Sequence, residues 1–381
     1  MPDSARGSIR VNAAVIDRQE PGSRYSIREI RLDRPQAGEV LVRVVAAGLC
    51  HTDLAVANGD LPLPFAPIVG GHEGAGIVEE IGPGVHGLVP GDHVVLTPPV
   101  CGVCESCSRG HTNLCDFADL ADAGPNVSTG TYRRFLSDGT PVGSFIQLGT
   151  FAEYTVANVA SCIRIDPDIP LSRAALLGCG VVTGWGAAVH SAGTQPGDTV
   201  VVVGVGGVGI CAVQGARMAG AQAIVAIDPS AWKREQAPAF GATHTATSFD
   251  EAAAIVARLT HGRGAERAIV TAGASSPSLL QDAAALTGKS GVTATVVVPG
   301  PGVQDIKLDV MALMTMEKEI RGSVLGGCAI RSEVPRLLEY AERGLLQLDE
   351  LVTNRFHLDE FESAVGSLHG GEQFRSQFVF D

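Results

Sequence analysis

The sequence predicts an α/β protein of two domains, one rich in β-strands and one built on a doubly wound parallel sheet. Three observations carry this. The chain has 381 residues, beyond the ~250–300 at which a single hydrophobic core stops growing. Over Val11 to Val45 and Gly74 to Val95, short Val and Ile runs are broken by Gly and Pro, the pattern of strands and turns. From Thr199 onward, strand-like runs alternate with helix-like ones, which is how a parallel sheet covered on both faces is assembled.

Taken in order, the β-rich segment leads into a cysteine loop at Pro98 to Asp116. A stretch from Phe117 to Gly149 follows, rich in Gly, Thr, Ser and Asp and without sustained periodicity. It is expected to be a surface excursion, with a hairpin turn at Ser137-Asp138-Gly139-Thr140. The continuous β-branched run Thr199 to Val203 then reads as a buried strand, Ile210 to Ala219 as a helix and Ala223 to Ile227 as the next strand. Helices at Lys233 to Phe240 and Glu251 to Leu259 alternate with strands at Ala268 to Val270 and Val292 to Val298. Ser248 and Glu251 have capping-box spacing at the start of the second helix.

Glycine is frequent, 47 residues, so many tight turns are expected. The net charge of -13 argues against nucleic acid or an anionic membrane as partner, because both would repel the surface. Met1 to Arg10 has no apolar core of a signal peptide, and the most apolar stretch, Thr199 to Val213, is short and glycine-broken. A cytoplasmic protein acting on a small molecule is expected.

The cysteines divide into two metal-ligating sets. Cys101, Cys104, Cys107 and Cys115 form C-x2-C-x2-C-x7-C, and four thiolates that close in sequence can surround one tetrahedral ion with no open position, a structural zinc. Cys50, His72, Glu73 and Cys179 are scattered, with Cys50 and His72 flanked by polar residues, the composition of a catalytic zinc with one position left for water or substrate. Asp53 is placed to accept the second ring N–H of His72 and fix its tautomer. Glu73 is either a transient ligand or a carboxylate behind the ligands, and Cys179 standing alone in sequence would by default be an inert buried thiol. Cys162, Cys211 and Cys328 sit in apolar surroundings and read as buried free thiols.

Gly204-x-Gly206-x-x-Gly209 follows a strand and opens a helix, and Asp228 closes the next strand nineteen residues after Gly209. Gly204, Gly206, Gly207, Val208 and Gly209 thus form a pyrophosphate-binding turn at a helix N-terminus. Asp228 would accept the ribose hydroxyls and repel a 2′-phosphate, favouring NAD over NADP. Lys233, just beyond it, could reach the adenosine ribose.

With those residues in hand, the chain resembles the zinc-containing medium-chain dehydrogenase/reductases, specifically the alcohol dehydrogenase family. The likeness runs through GLCHTD at 48–53, GGHEGAG at 70–76, the four-cysteine lobe, LGCGVVTGWG at 177–186, VGVGGVG at 203–209 with Asp228, and FRSQF at 374–378. The segments GGHEGAG, NLCDF at 113–117 and WKREQA at 232–237 are similar to those of actinobacterial enzymes that reduce nitrosoaniline dyes, some of which hold NAD permanently. The resemblance implies a GroES-like catalytic domain from residues 1–180 and 325–381, and a Rossmann coenzyme domain at 181–324. It also implies two zinc ions and NAD per chain, and a homodimer or homotetramer.

It makes Cys50, His72 and Cys179 the catalytic zinc ligands and the other four cysteines the structural set. Thr52 becomes the hydroxyl beside the substrate oxygen, His51 and Arg375 lie near the pyrophosphate, Thr183 beside the nicotinamide, and Lys233 by the adenosine ribose. In one departure, the family's best-known proton relay ends in a histidine where this chain has Ala55, so His51 or water would take that place. In another, Thr97 stands small and polar at a pocket position where bulk is common. Substrate-pocket segments would be those around Leu61, Thr97, the 116–150 stretch and Val324.

The expected activity is reversible oxidation of an alcohol to an aldehyde or ketone, with hydride passing to NAD and zinc as Lewis acid. Two other enzymatic readings use the same parts: a thiol-adduct, formaldehyde-type dehydrogenase, which a basic pocket from Arg133 and Arg134 would favour, and a nicotinoprotein that recycles bound NAD with a second substrate. A non-catalytic scaffold or redox sensor is disfavoured because every ligand position and Thr52 are retained.

Overall fold

The computed structural model describes residues 7–117, 124–273, 278–298 and 307–380. The chain divides into two compact units, Met1–Cys179 with Val352–His369 and Arg375–Asp381, and Gly180–Leu351 with Gly370–Phe374. The second unit therefore keeps residues 325–351, which the sequence reading assigned to the catalytic domain. The helix Ile330–Glu342 holds them there by burying Ile330, Val334, Leu337 and Leu338 and packing on the helix Gly180–Gly186.

The first unit combines a small closed barrel with a seven-stranded sheet. At the centre of the sheet runs Glu39–Leu49, an apolar strand buried along nearly its whole length, as expected where both faces are covered. It pairs antiparallel with Gly74–Ile81 so that Ala47 faces Gly74. On its far side the C-terminal strand Arg375–Val379 pairs with it, Ser376 facing Leu49 and Gln377 facing Gly48. Phe378 anchors that last strand, stacked on Phe361 at 4.9 Å and edge-on to Phe151 at 5.1 Å. Aromatic pairs of this kind contribute about 0.5–1.5 kcal/mol each beyond the area they bury.

The stretch after the cysteine loop is not the surface excursion its composition suggests. Arg134–Phe135 and Pro141–Ser144 are strands of the closed barrel, joined by the expected hairpin, in which Gly139 N–H donates to Leu136 O. Phe145 and Leu148 are fully buried. The periodicity is missing because these strands span only two and four residues, too short to display it. Residues 118–123 lie outside the described residues.

The second unit holds a six-stranded, all-parallel sheet in the order His244–Ala246, Ala223–Ile227, Thr199–Val203, Ala265–Val270, Thr287–Thr295, Glu319–Gly322. Continuous β-branched sequence made the central strand legible, and Thr199–Val203 is buried at every position. The chain moves outward from this strand in one direction, then returns to its other side, so its carboxyl end is a topological switch point. Ser248 caps the helix Phe249–Leu259 by accepting from Glu251 N–H, while the Glu251 carboxylate turns back to Thr247 N–H at 2.7 Å. No single helix among the described residues is long and apolar enough to cross a membrane.

Candidate metal and nucleotide sites

Strand pairing in the first unit brings the scattered ligand candidates together. Cys50 follows the end of Glu39–Leu49, His72 and Glu73 precede Gly74–Ile81, and these two strand ends are neighbours in the antiparallel ladder. Cys50 is the N-cap of the helix His51–Asn58. One turn in, Asp53 is wholly buried and ties the cluster: Oδ2 accepts Cys50 N–H at 3.0 Å, Oδ1 accepts Gly71 N–H at 3.2 Å and contacts His72 Nδ1 at 3.0 Å.

That contact leaves Nε2 as the other face of the imidazole. Nε2 is buried and has no hydrogen-bond partner, a costly state unless something binds it. Both the Cys50 and the Cys179 thiols bear on the same ring. Burial raises the Cys50 thiol, but the His72 side chain and the Arg375 charge pull it down to about 6. Burial acts to discharge the imidazole, and the Asp53 and Cys179 charges overcome it, holding His72 well above its ordinary value. The cluster thus favours a Cys50 thiolate beside the imidazole, and with the Cys179 sulfur these are the donor set of a zinc ion with one open position.

Cys179 arrives beside it because Gly178 carries no side chain: a Cβ there would lie 2.3 Å from Leu96 O and 3.2 Å from Glu73 Cα. The Thr52 hydroxyl is 3.5 Å from Cys50 Sγ, and His51 is exposed at the start of the helix. Glu73 is fully buried and forms an ion pair with buried Arg375. The sequence places Glu73 at the metal and Arg375 near the pyrophosphate, and does not predict their pairing. Nothing in the local sequence joins them; only the register of the C-terminal strand does.

The four-cysteine lobe closes around a short helix, Glu105–Ser108. All four sulfurs lie within 4.8 Å of one another, with Cys101 and Cys107 4.0 Å apart. A tetrahedral ion with bonds of about 2.3 Å separates its sulfurs by about 3.8 Å, so the lobe fits zinc. Backbone N–H groups point at the sulfurs, from Val103 and Cys104 to Cys101 and from Phe117 to Cys115. Burial raises the Cys101 thiol, yet those donors bring it to about 7.

Arg133 and Arg134 do not form a basic pocket. Arg133 is buried against Glu39, with Nε 2.6 Å and an η nitrogen 3.0 Å from its carboxylate oxygens. Arg134 is buried as well and donates to Leu148 O at 3.0 Å and Val156 O at 3.1 Å. Both arginines are consumed by the barrel and its neighbouring strand, whereas a loop would have left them solvated.

In the second unit the glycine-rich turn leaves the central strand at the switch point. Gly209 has to be glycine, since a Cβ would fall 1.8 Å from Gly204 O. The helix Gly209–Met218 starts with no side-chain cap; Ile210 N–H donates to Gly206 O at 2.9 Å within the turn, and a helix N-terminus of this kind is where a phosphate binds. Asp228 is 5% exposed, with Oδ2 accepting Val205 N–H at 2.9 Å and Oδ1 accepting Ser230 N–H at 2.9 Å. It therefore shapes the turn as well as presenting its remaining lone pairs. The Lys233 ammonium lies beside the turn, 3.8 Å from where a Gly206 Cβ would stand. Thr183 is half-buried on Gly180–Gly186, a helix that packs on Gly209–Met218.

Comparison with known proteins matches this geometry. Residues 36–167 match the alcohol dehydrogenase GroES-like domain, and residues 207–343 the zinc-binding dehydrogenase domain. An NDMA-dependent alcohol dehydrogenase of Amycolatopsis methanolica is 42% identical over 96% of this chain and 98% of its own. The chain belongs to the zinc-containing medium-chain alcohol dehydrogenase family. As an alcohol dehydrogenase of this family it is a zinc-dependent oxidoreductase working with a nicotinamide dinucleotide. Among solved structures, a benzyl alcohol dehydrogenase of Acinetobacter calcoaceticus is 31% identical with a TM-score of 0.89, covering 98% of this chain and all of that one. An alcohol dehydrogenase zinc-binding domain protein from Burkholderia ambifaria is 34% identical with a TM-score of 0.91 over the same shares. An S-(hydroxymethyl)glutathione dehydrogenase of Paracoccus denitrificans is 32% identical over 98% of this chain and all of its own.

Proposed function

We propose that this dehydrogenase oxidises a small alcohol to its aldehyde or ketone, and the reverse, with NAD as hydride acceptor. The carrying observation is the buried, unpartnered Nε2 of His72 between two thiols, its tautomer set by Asp53. Cys50, His72 and Cys179 would hold the catalytic zinc, and Cys101, Cys104, Cys107 and Cys115 the structural one. Bound at the first set, zinc supplies Lewis-acid polarisation of the alcohol oxygen. Thr52 would receive the alcohol proton at its Oγ1 and pass it toward exposed His51 or water, because Ala55 offers no imidazole. The buried Glu73–Arg375 ion pair would stand beside the metal ligands, where the Arg375 charge favours the Cys50 thiolate. Nine cysteines with no disulfide among them suit a reducing cytoplasm, and a homodimer or homotetramer is the assembly we expect.

The burial of Arg133 and Arg134 removes the basic pocket that would favour a thiol-adduct substrate, so a plain alcohol is the better-supported substrate. The similarity to an NDMA-dependent enzyme supports a nicotinoprotein in which NAD stays bound and is reoxidised in place. Acid denaturation of fresh protein is expected to release about one NAD per chain, and a screen of primary and aromatic alcohols should then show turnover with a dye acceptor and no added NAD. Release of no nucleotide, with turnover only on added NAD, would restrict the proposal to an ordinary dehydrogenase. No turnover of any alcohol in either format would remove it.

The preference for NAD has its own test. Asp228→Ala should weaken NAD and narrow its advantage over NADP by about tenfold or more, since it removes both a ribose acceptor and the charge facing a 2′-phosphate. Steady-state kinetics with the two coenzymes reads this. An unchanged ratio would leave Asp228 only its role of holding the Val205 and Ser230 N–H groups.

A further inference from the structure

We propose that His190, Cys328 and Glu333 form a third metal site, for a borderline divalent cation such as Zn2+ or Co2+, within the second unit. A ring nitrogen of His190, the Cys328 sulfur and a Glu333 carboxylate oxygen lie within 4.8 Å of one another. Three separate segments deliver them. His190 sits where the helix widens into a π turn at Ala187–Ser191, Cys328 just after the turn Leu325–Gly327, and Glu333 in the first turn of Ile330–Glu342. Such π turns are frequent at functional sites.

Glu333 gives the independent reason to look for a ligand. Its side chain is only 4% exposed, yet its contacts are long: His190 Nε2 at 3.3 Å and the Arg336 guanidinium at 3.4 and 3.5 Å. A buried carboxylate with partners this distant is poorly compensated. Arg336 is half exposed, at 49%, and can swing out to admit a cation.

The donor set selects the ion. Imidazole, thiolate and carboxylate together suit zinc and cobalt, whereas calcium and magnesium prefer oxygen alone. His190, at 31% side-chain exposure, gives the ion a way in and leaves a fourth position to water. Its ring stands edge-on to Trp185 at 5.5 Å. The Cys328 thiol now donates to Leu325 O at 3.3 Å, and binding would release that proton to solvent as the thiolate forms. The ion would join the turn at Leu325–Gly327 to the segment continuing from the helix that carries Thr183, and so stiffen the coenzyme unit.

Holoenzyme carrying its two zinc ions is titrated with Co2+, following metal content, the near-ultraviolet thiolate-to-cobalt charge-transfer band and thermal unfolding. One further equivalent is expected, with the band and a raised melting temperature. Cys328→Ser should abolish the band, and His190→Ala should weaken binding about tenfold or more. Arg336→Ala, which leaves all three ligands in place and removes the competing cation, should tighten it. Metal content that stays at two overturns the proposal. So does a band that persists in Cys328→Ser, which would mean exchange into the cysteine lobe, and so does binding indifferent to both His190→Ala and Arg336→Ala.

Discussion

Cys50→Ser is expected to lower the rate of alcohol oxidation by about a thousandfold or more and to reduce bound zinc from two ions per chain to one, with the fold retained. A Lewis acid at the substrate oxygen contributes several kcal/mol to the transition state, and each 1.36 kcal/mol is a factor of about ten in rate. Serine preserves the volume of Cys50 and its N-cap backbone, so Asp53 can still accept the N–H of residue 50 and of Gly71. His72→Ala should lose activity to the same extent but also stability, because it strips the wholly buried Asp53 carboxylate of its ring partner. Metal analysis and turnover on the same preparation check both. Wild-type turnover by a Cys50→Ser protein that has lost one zinc would end the catalytic assignment.

The largest expected effect on stability lies far from the chemistry. Arg133→Met should destabilise the protein by about 3–5 kcal/mol, the loss that follows when one partner of a buried ion pair is removed. Glu39 would be left fully buried without its guanidinium partner, its carboxylate still accepting the Gln36 N–H at 2.8 Å and the Thr129 hydroxyl at 3.2 Å. The double variant Arg133→Met/Glu39→Met should recover most of the loss, since replacing both charges by apolar groups is often close to neutral. Equilibrium urea unfolding of the three proteins measures this cycle. A loss below about 1 kcal/mol in the single variant is what a solvated arginine would show, and would contradict the burial seen here.

These two sites also mark where sequence reasoning succeeded and where it stopped. The cysteine lobe was legible because its ligands are neighbours in the chain, so local spacing alone implies their convergence. The dinucleotide turn was legible for the same reason: strand, glycines and helix are contiguous, and Gly209 meets Gly204 O within one turn. Arg133 and Arg134 were misjudged because strands of two and four residues carry no period, and polar composition then imitates a loop. His190 and Cys328 do not stand out in the sequence, because their meeting depends on the turn Leu325–Gly327 packing on Ala187–Ser191, a segment far back in the chain.

By itself, the sequence determined the two kinds of metal-ligating set, the parallel α/β unit with its nucleotide turn, and Asp53 as the partner of His72. All of these follow from local spacing, from residue chemistry or from a hydrophobic pattern with a clear period. Only the tertiary structure decided that Glu73 faces Arg375, that the arginine pair is sealed in the barrel, and that residues 325–351 stay with the second unit. Each of these depends on strand register or helix packing between segments far apart in the chain. Long-range pairing is set by the sum of many buried contacts, and no single stretch of sequence carries that sum.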